Sequence, residues 1–370
     1  MAKQGRRCDY ILVTITGFLI IFGIVVLASA STSVSLQKFG TTYYLLVHQL
    51  LLALVPGILL AFLFSKIRLS FFKKKAPFFL FLSLLLMTMV FLPVIGMKSR
   101  KAARWISLGP ISFQPSEFLK LTFILYLASW LESRNRITSS KFKKKSKENL
   151  IAFLAIIGLI TLLLVLQSDI STLGVILACA MLMYFFAKTP FWHSILIVLV
   201  GMGSLFALIN PVPYRLERVL VFLNPETDPM GISYQIKHAL ITVGSGGISG
   251  LGLGMSQQKS GLLPHPISDS IFAILAEETG FIGSAILIFL FLLFLWRGYK
   301  IGKESSSLFS RLTALGITSW ILIQAFVNIG SMVGIIPLTG IPLPFVSYGG
   351  SALITELAGI GILLNISKQN

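Results

Sequence analysis

The chain has 370 residues, 55% hydrophobic and only 12% charged, and its mean hydropathy of +0.87 excludes an ordinary soluble domain. Thirty-one Lys and Arg against 13 Asp and Glu give a formal net charge of +18, but the basic residues are spread over short segments between apolar runs, which excludes a nucleic-acid partner. The two cysteines, Cys8 and Cys179, fall at the edge of and within apolar runs and exclude a disulfide framework.

Ten apolar runs suited to a hydrocarbon core of about 30 Å follow one another, at about residues 10–29, 43–65, 77–96, 117–132, 149–166, 171–187, 191–209, 271–296, 312–335 and 348–367. They predict an all-α, polytopic membrane protein that forms one domain over residues 1–370. The first run follows a basic MAKQGRR segment and precedes Ala28-Ser29-Ala30, as in a signal peptide. It is longer than such an apolar core and reads as an uncleaved span. With the N-terminus inside, 21 of the 31 basic residues lie on the cytoplasmic side. This bias predicts cytoplasmic termini and a large exterior segment, about 210–270, between spans seven and eight. The basic loops then hold orientation and touch anionic headgroups.

Ionisable groups in or beside a span are costly, so Glu117, Asp169, Glu217, Glu226, Asp228, Asp269, Glu277, Glu278 and Glu356 are functional candidates, each against an ion-paired structural role. Arg104-Trp105 reads as an interfacial anchor or as a charge that meets a phosphate. Pro115 suits a helix start, after which Glu117 and Lys120, three apart, either tie spans together or line a polar cavity. Asp169, in LQSDIST, either caps the sixth helix or faces a cavity. Arg215 and Arg218 share a face; their planar forks suit a lipid pyrophosphate, the alternative being a solvated pairing with Glu217. The stretch of about 235–243 is amphipathic enough to lie in the membrane plane. His238 and His265 stand apart from any carboxylate cluster, which predicts no protein-caged metal. One carboxylate could still share Mg²⁺ with a phosphate substrate.

The segment Gly244–Gly283 organises the rest. Glycines at 244, 246, 247, 250, 252 and 254 let the backbone approach a ligand closely. No βαβ unit or Gly-Lys-Ser/Thr accompanies them, so the nucleotide-loop reading fails. Pro264 and Pro266 stiffen the chain, Ser268 is placed to cap, and Asp269 is expected in the first turn of the eighth span. An ionised carboxylate there suits a general base; the alternative is a helix cap. Glu277 and Glu278 follow about 12 Å deeper along the helix. Gln324 and Asn328, one turn apart, predict a buried hydrogen-bonding face, and Ser347–Ser351 an irregular start to span ten.

Four separated segments resemble the SEDS family of bacterial shape, elongation, division and sporulation proteins, to which RodA and FtsW belong: ARWISLGPISFQPSEFLKL, LQSDISTLGVIL, VGSGGISGLGLGMSQQKSGLLPHPISDSIFAILAEETGFIG and GIPLPFVSYGGSALI. In length and span number the resemblance covers the whole chain. It implies a peptidoglycan glycosyltransferase that polymerises lipid II beside a class B penicillin-binding protein and other divisome or elongasome proteins. It further implies the bacterial cytoplasmic membrane, with the active site on the exterior face. Asp269 falls on the family's catalytic aspartate, and Glu117, Lys120 and Asp169 on its polar cavity. Arg104, Arg215, Arg218, Gly246, Gly247 and Gln257 are expected around the substrate and its pyrophosphate. No cofactor is implied beyond a divalent cation such as Mg²⁺ at Asp269. Pro264-His265-Pro266-Ile267-Ser268-Asp269-Ser270 lacks the glutamate and phenylalanine common in the family, and Lys237-His238 replaces a common Gln-Ser. NPETDPMGISYQ and LGLGMSQQK look closer to the division branch, FtsW. A lipid-linked sugar flippase using Glu117, Lys120, Asp169 and Gln324 as its path, and a division scaffold, are the alternative readings.

Overall fold

A computed structural model describes residues 8–93, 96–99, 102–108, 111–136, 142–187, 203, 213–224 and 232–369. Among them, nine predicted spans coincide with helices: α1 (Tyr10–Phe39), α2 (Tyr44–Lys66, with a π-helical stretch at Leu50–Leu54), α3 (Leu69–Met89), α4 (Pro115–Arg136), α5 (Phe142–Leu166), α6 (Ile170–Phe186), α9 (Ile271–Glu304), α10 (Leu308–Met332) and α11 (Gly350–Ser367). Two helices of the long connection, α7 (Pro213–Leu223) and α8 (Ile232–Ser245), complete the set. The predicted span at 191–209 lies outside the described residues. Among the described residues, five helices, α1, α2, α9, α10 and α11, are long and apolar enough to cross a membrane by length and composition.

One feature escaped the apolar pattern. Between α3 and α4 the chain forms a three-stranded antiparallel sheet, β1 (Gly96–Ser99), β2 (Ala102–Leu108) and β3 (Ile111–Phe113), in the order β1-β2-β3. Ile106 pairs with Phe113 and Leu108 with Ile111, so the hairpin delivers the chain to α4 at Pro115 and leaves Arg104 on the central strand.

Helix ends show how local chemistry sets the frame. The Asp9 carboxylate accepts the Leu12 N–H at 3.0 Å, a side-chain cap for α1. It also pairs with Arg297 Nε at 2.8 Å, fastening the start of α1 to the far end of α9. Gly40, at φ +71°, closes α1 through its N–H to the Leu36 carbonyl. The centre of the bundle is α10 and α11, whose apolar stretches are 67% and 78% buried against 22% for α2. Small residues permit the close approaches: a side chain on Gly361 would strike the Ala61 backbone of α2, and one on Gly298 would strike Thr318 of α10. Two irregularities position the site. The helix α9 breaks at Gly280 (φ 65°, ψ −162°), and the connection from α10 to α11 returns as extended and turn structure, with Phe345 at φ +62°.

Candidate active site

Asp269 closes the proline-stiffened segment that precedes α9. The helix begins at Ile271 and its N-cap position belongs to Ser270, so Asp269 stands just outside the predicted first turn and Ser268 is not the cap. Other side chains grip the main chain here. Ser347 Oγ donates to the Ser268 carbonyl at 2.6 Å, and the Tyr348 N–H donates to the Ile267 carbonyl at 2.8 Å. Asn328 Nδ2, on α10, donates both to the Asp269 carbonyl at 2.8 Å and to the Ile341 carbonyl at 2.7 Å. One amide therefore ties the segment to the connection between α10 and α11. At Gly340 (φ +72°) an added Cβ would lie 3.2 Å from Asp269 Oδ2, so the carboxylate rests against bare backbone.

The main-chain grip leaves the partly buried carboxylate available. Burial pushes the Asp269 carboxyl above the ordinary carboxylate range, and His265, a Ser268 hydrogen bond, Arg218 and Arg104 pull it back down. Arg218, on α7, braces itself on the same connection: its Nη1 donates to the Leu338 and Thr339 carbonyls at 3.1 and 3.3 Å. It is thus an inward-facing group. The side chains of Arg215 and Glu217, together with Glu226 and Asp228, lie outside the described residues.

Arg104 also turns inward. It donates to the Ser168 carbonyl, and its Nη1 lies 3.8 Å from Asp169 Oδ1. Asp169 occupies the N-cap position of α6, but its carboxylate makes no cap bond. Its Oδ2 instead accepts from Ser116 Oγ at 3.0 Å and Gln114 Nε2 at 3.5 Å, joining the starts of α4 and α6 to β2. Beneath, Glu117 and Lys120, each 2% exposed, pair at 2.6 Å. Lys120 Nζ also donates to Gln324 Oε1 at 2.8 Å, and Gln324 takes the Trp320 Nε1–H and donates to the Pro342 carbonyl. Glu356 accepts the Phe345 N–H at 2.9 Å, holding the positive-φ turn. These groups brace the connection on which the Asp269 segment hangs.

The same architecture occurs in known proteins. A family model described as cell cycle protein, spanning FtsW, RodA and SpoVE, matches residues 10–370. The chain belongs to this family. It is similar to stage V sporulation protein E of Bacillus subtilis, 37% identical over 371 residues and covering 100% of both chains. The probable peptidoglycan glycosyltransferase FtsW of Coxiella burnetii is 36% identical over 365 residues, covering 98% of this chain and 96% of that one. Among solved structures, a chain of a peptidoglycan synthase complex that coordinates polymerization and crosslinking matches with a TM-score of 0.77 at 30% identity, covering 97% of both chains. The rod shape determining protein RodA of Thermus thermophilus matches with a TM-score of 0.71 at 29% identity, covering 98% of this chain and 97% of that one.

In this FtsW/RodA/SpoVE member the glycine run is absorbed by structure. Loop residues 246–256 pack on the break in α9: the Phe281 and Ile282 N–H groups donate to Gly247 and Ile248 carbonyls, and the Leu251 and Gly252 N–H groups to Glu277 and Glu278 carbonyls. Side chains on Gly246 or Gly250 would collide with the Ala276 or Glu278 carbonyl, whereas Gly247 (φ +54°) has open space beside it. Below the loop, Glu278 Oε1 accepts from Lys259 Nζ at 3.0 Å and from Ser29 Oγ at 2.6 Å, and Glu277 accepts from Ser256 Oγ. Gln257 is exposed, with its N–H on Glu277 Oε1 at 3.4 Å. Among the described residues no three His, Cys, Asp or Glu side chains gather as a metal cage. Gly340 and Ser347 carry no site signal in the sequence, and Asn328, expected on a buried hydrogen-bonding face, holds the Asp269 carbonyl. Its one-turn spacing from Gln324 was visible in the sequence, but its target lies 59 residues away.

Proposed function

We infer that this membrane protein is a peptidoglycan glycosyltransferase and propose that Asp269 is its general base, with lipid II as the substrate. The acceptor's 4-hydroxyl gives its proton to the Asp269 carboxylate as its oxygen forms a bond to the donor's anomeric carbon. The bond from that carbon to the polyprenyl pyrophosphate breaks, and the pyrophosphate leaves carrying the electron pair. Arg104 and Arg218, whose charges already reach Asp269, face the charge that grows on the leaving group. Lys120, also expected to serve the pyrophosphate, is held in its buried pair with Glu117. Pyrophosphate is a weak base, so no second carboxylate is needed to protonate it, unlike the paired acids of hydrolases. One carboxylate among Arg104, Arg218 and His265 is a poor cage for a divalent cation.

The observation that carries this reading is the fixed main chain beneath Asp269: three neighbouring carbonyls are hydrogen-bonded to the α10–α11 region, and the carboxyl group feels the charges of His265, Arg218 and Arg104. Ten spans, cytoplasmic termini, an exterior site in the bacterial cytoplasmic membrane and a class B penicillin-binding partner complete the proposal. Kinship with a chain of a synthase complex supports the last. The test is glycan polymerisation from lipid II by the purified protein with such a partner, wild type against Asp269→Asn. Loss of strands in the variant is expected. Lipid II flipping without polymerisation in the wild type would instead favour a flippase, and normal polymerisation by the variant would remove Asp269 from the chemistry.

A further inference from the structure

The glycine loop carries apolar residues where a water-facing loop carries charge. From Ala239 to Pro264 the only ionisable side chain is Lys259, and it is buried against Glu278. Ile248, Leu251, Leu253 and Met255 nevertheless point outward, Ile248 being 74% exposed. Beside them Phe281 and Ile282 are exposed on α9, Phe281 to 71%, and the apolar face continues down α9 through Ile286, Phe289 and Leu292.

Depth follows from the far end of α9. Trp296 lies there, with Arg297 and Lys300 each about 6 Å from its ring, the aromatic and basic signature of a membrane boundary. Fifteen residues separate Phe281 from Trp296, about 23 Å of helix at 1.5 Å per residue, less than a hydrocarbon core of about 30 Å. Phe281 therefore sits just inside the opposite boundary, and Gly247 and Ile248, bonded to Phe281 and Ile282, sit at the same level. The sealing is consistent with that depth. A helix break beside lipid must have its freed backbone groups satisfied by protein, and the loop supplies four such bonds.

We propose that residues 246–255 form a membrane-seated elbow whose Ile248, Leu251, Leu253 and Met255 side chains insert among bilayer lipids at the headgroup–acyl boundary. The glycine backbone lies at the level of Phe281, on the acyl side of that boundary, and the leaflet, the outer one, follows from the topology proposed above. The occupant is lipid because the patch is continuous with the apolar face of α9 and carries no exposed charge.

The test uses full-length chain with Cys8→Ser and Cys179→Ala, spin-labelled singly at Ile248→Cys, Leu253→Cys, Met255→Cys or Gln257→Cys, in phosphatidylethanolamine–phosphatidylglycerol liposomes. Labels at the first three positions are expected to collide more with dissolved oxygen than with a water-soluble nickel chelate, and the label at 257 the reverse. Nickel preference at all four would overturn the proposal. Shielding from both agents at 248, 253 and 255 would also overturn it and assign the patch to a protein contact. Hydroxyl-radical footprinting of the unaltered chain in the same liposomes gives an independent reading: Met255 should stay largely unoxidised, and oxidation as complete as in the unfolded chain would count against insertion.

Discussion

Within one stretch of forty residues the molecule treats two irregular segments in opposite ways. The glycine loop spends its backbone on sealing the α9 break, with Lys259, Ser256 and Ser29 satisfying the glutamates beneath it. The Asp269 segment is held from behind, by Asn328, Ser347 and Tyr348 on its carbonyls, and its carboxyl group lies within the electrostatic reach of His265, Arg218 and Arg104. Glycine richness here marks close packing, whereas the proposed general base stands where a stiff segment is pinned by side chains from distant parts of the chain.

Five single substitutions can break or sharpen that contrast. Lys120→Met strands Glu117 inside the bundle and should cost about 3–5 kcal/mol of stability, read by thermal unfolding in detergent. The pair Glu117→Gln with Lys120→Met should recover most of it. On the loop, Gly250→Ala meets both a positive φ and the Glu278 carbonyl, and should cost about 2–3 kcal/mol. Gly252→Ala, at φ +104° with only the Met255 side chain nearby, should cost about 1–2 kcal/mol. Both should polymerise normally per folded molecule; a specific loss of turnover would return the loop to the active site.

On the other side of the contrast, Asn328→Ala frees the Asp269 carbonyl. The loss of hydrogen bonding, about 1–2 kcal/mol, should appear as a roughly tenfold fall in kcat, with KM little changed. The smallest effect concerns pH. Asp269 must be ionised to take a proton, so activity should rise with pH through its raised pKa. His265 lowers that value, so His265→Ala should move the rising limb to higher pH, read from a pH–rate profile. The same raised value means that ionising Asp269 in the folded state costs stability as pH climbs from its unfolded to its folded pKa.

Much of the fold was legible because a hydrocarbon environment writes its demand directly into composition. The long runs of α1, α9, α10 and α11 needed little more than apolar length. The sheet was hidden because its strands are short and pair only with one another, and apolar–polar alternation is confined to the triplets Ile106-Ser107-Leu108 and Ile111-Ser112-Phe113. In the site, Asp269 stood out because acids are scarce, and Glu117 with Lys120 because three residues bring them to one helical face. The supports were illegible for a common reason. Asn328, Gly340 and Ser347 act through contacts with main-chain or bare-backbone atoms far away in sequence. Gly246 and Gly250 look like ligand-facing glycines until the break at Gly280 shows what they pack against.

The most direct test is the rate at which Asp269→Asn, folded and paired in liposomes with the proposed class B penicillin-binding protein, builds glycan strands from lipid II. The account predicts a fall of at least about 100-fold, the lower end for losing a general base, with helix content unchanged. A rate within about threefold of wild type, worth less than about 0.7 kcal/mol in the barrier, would contradict it.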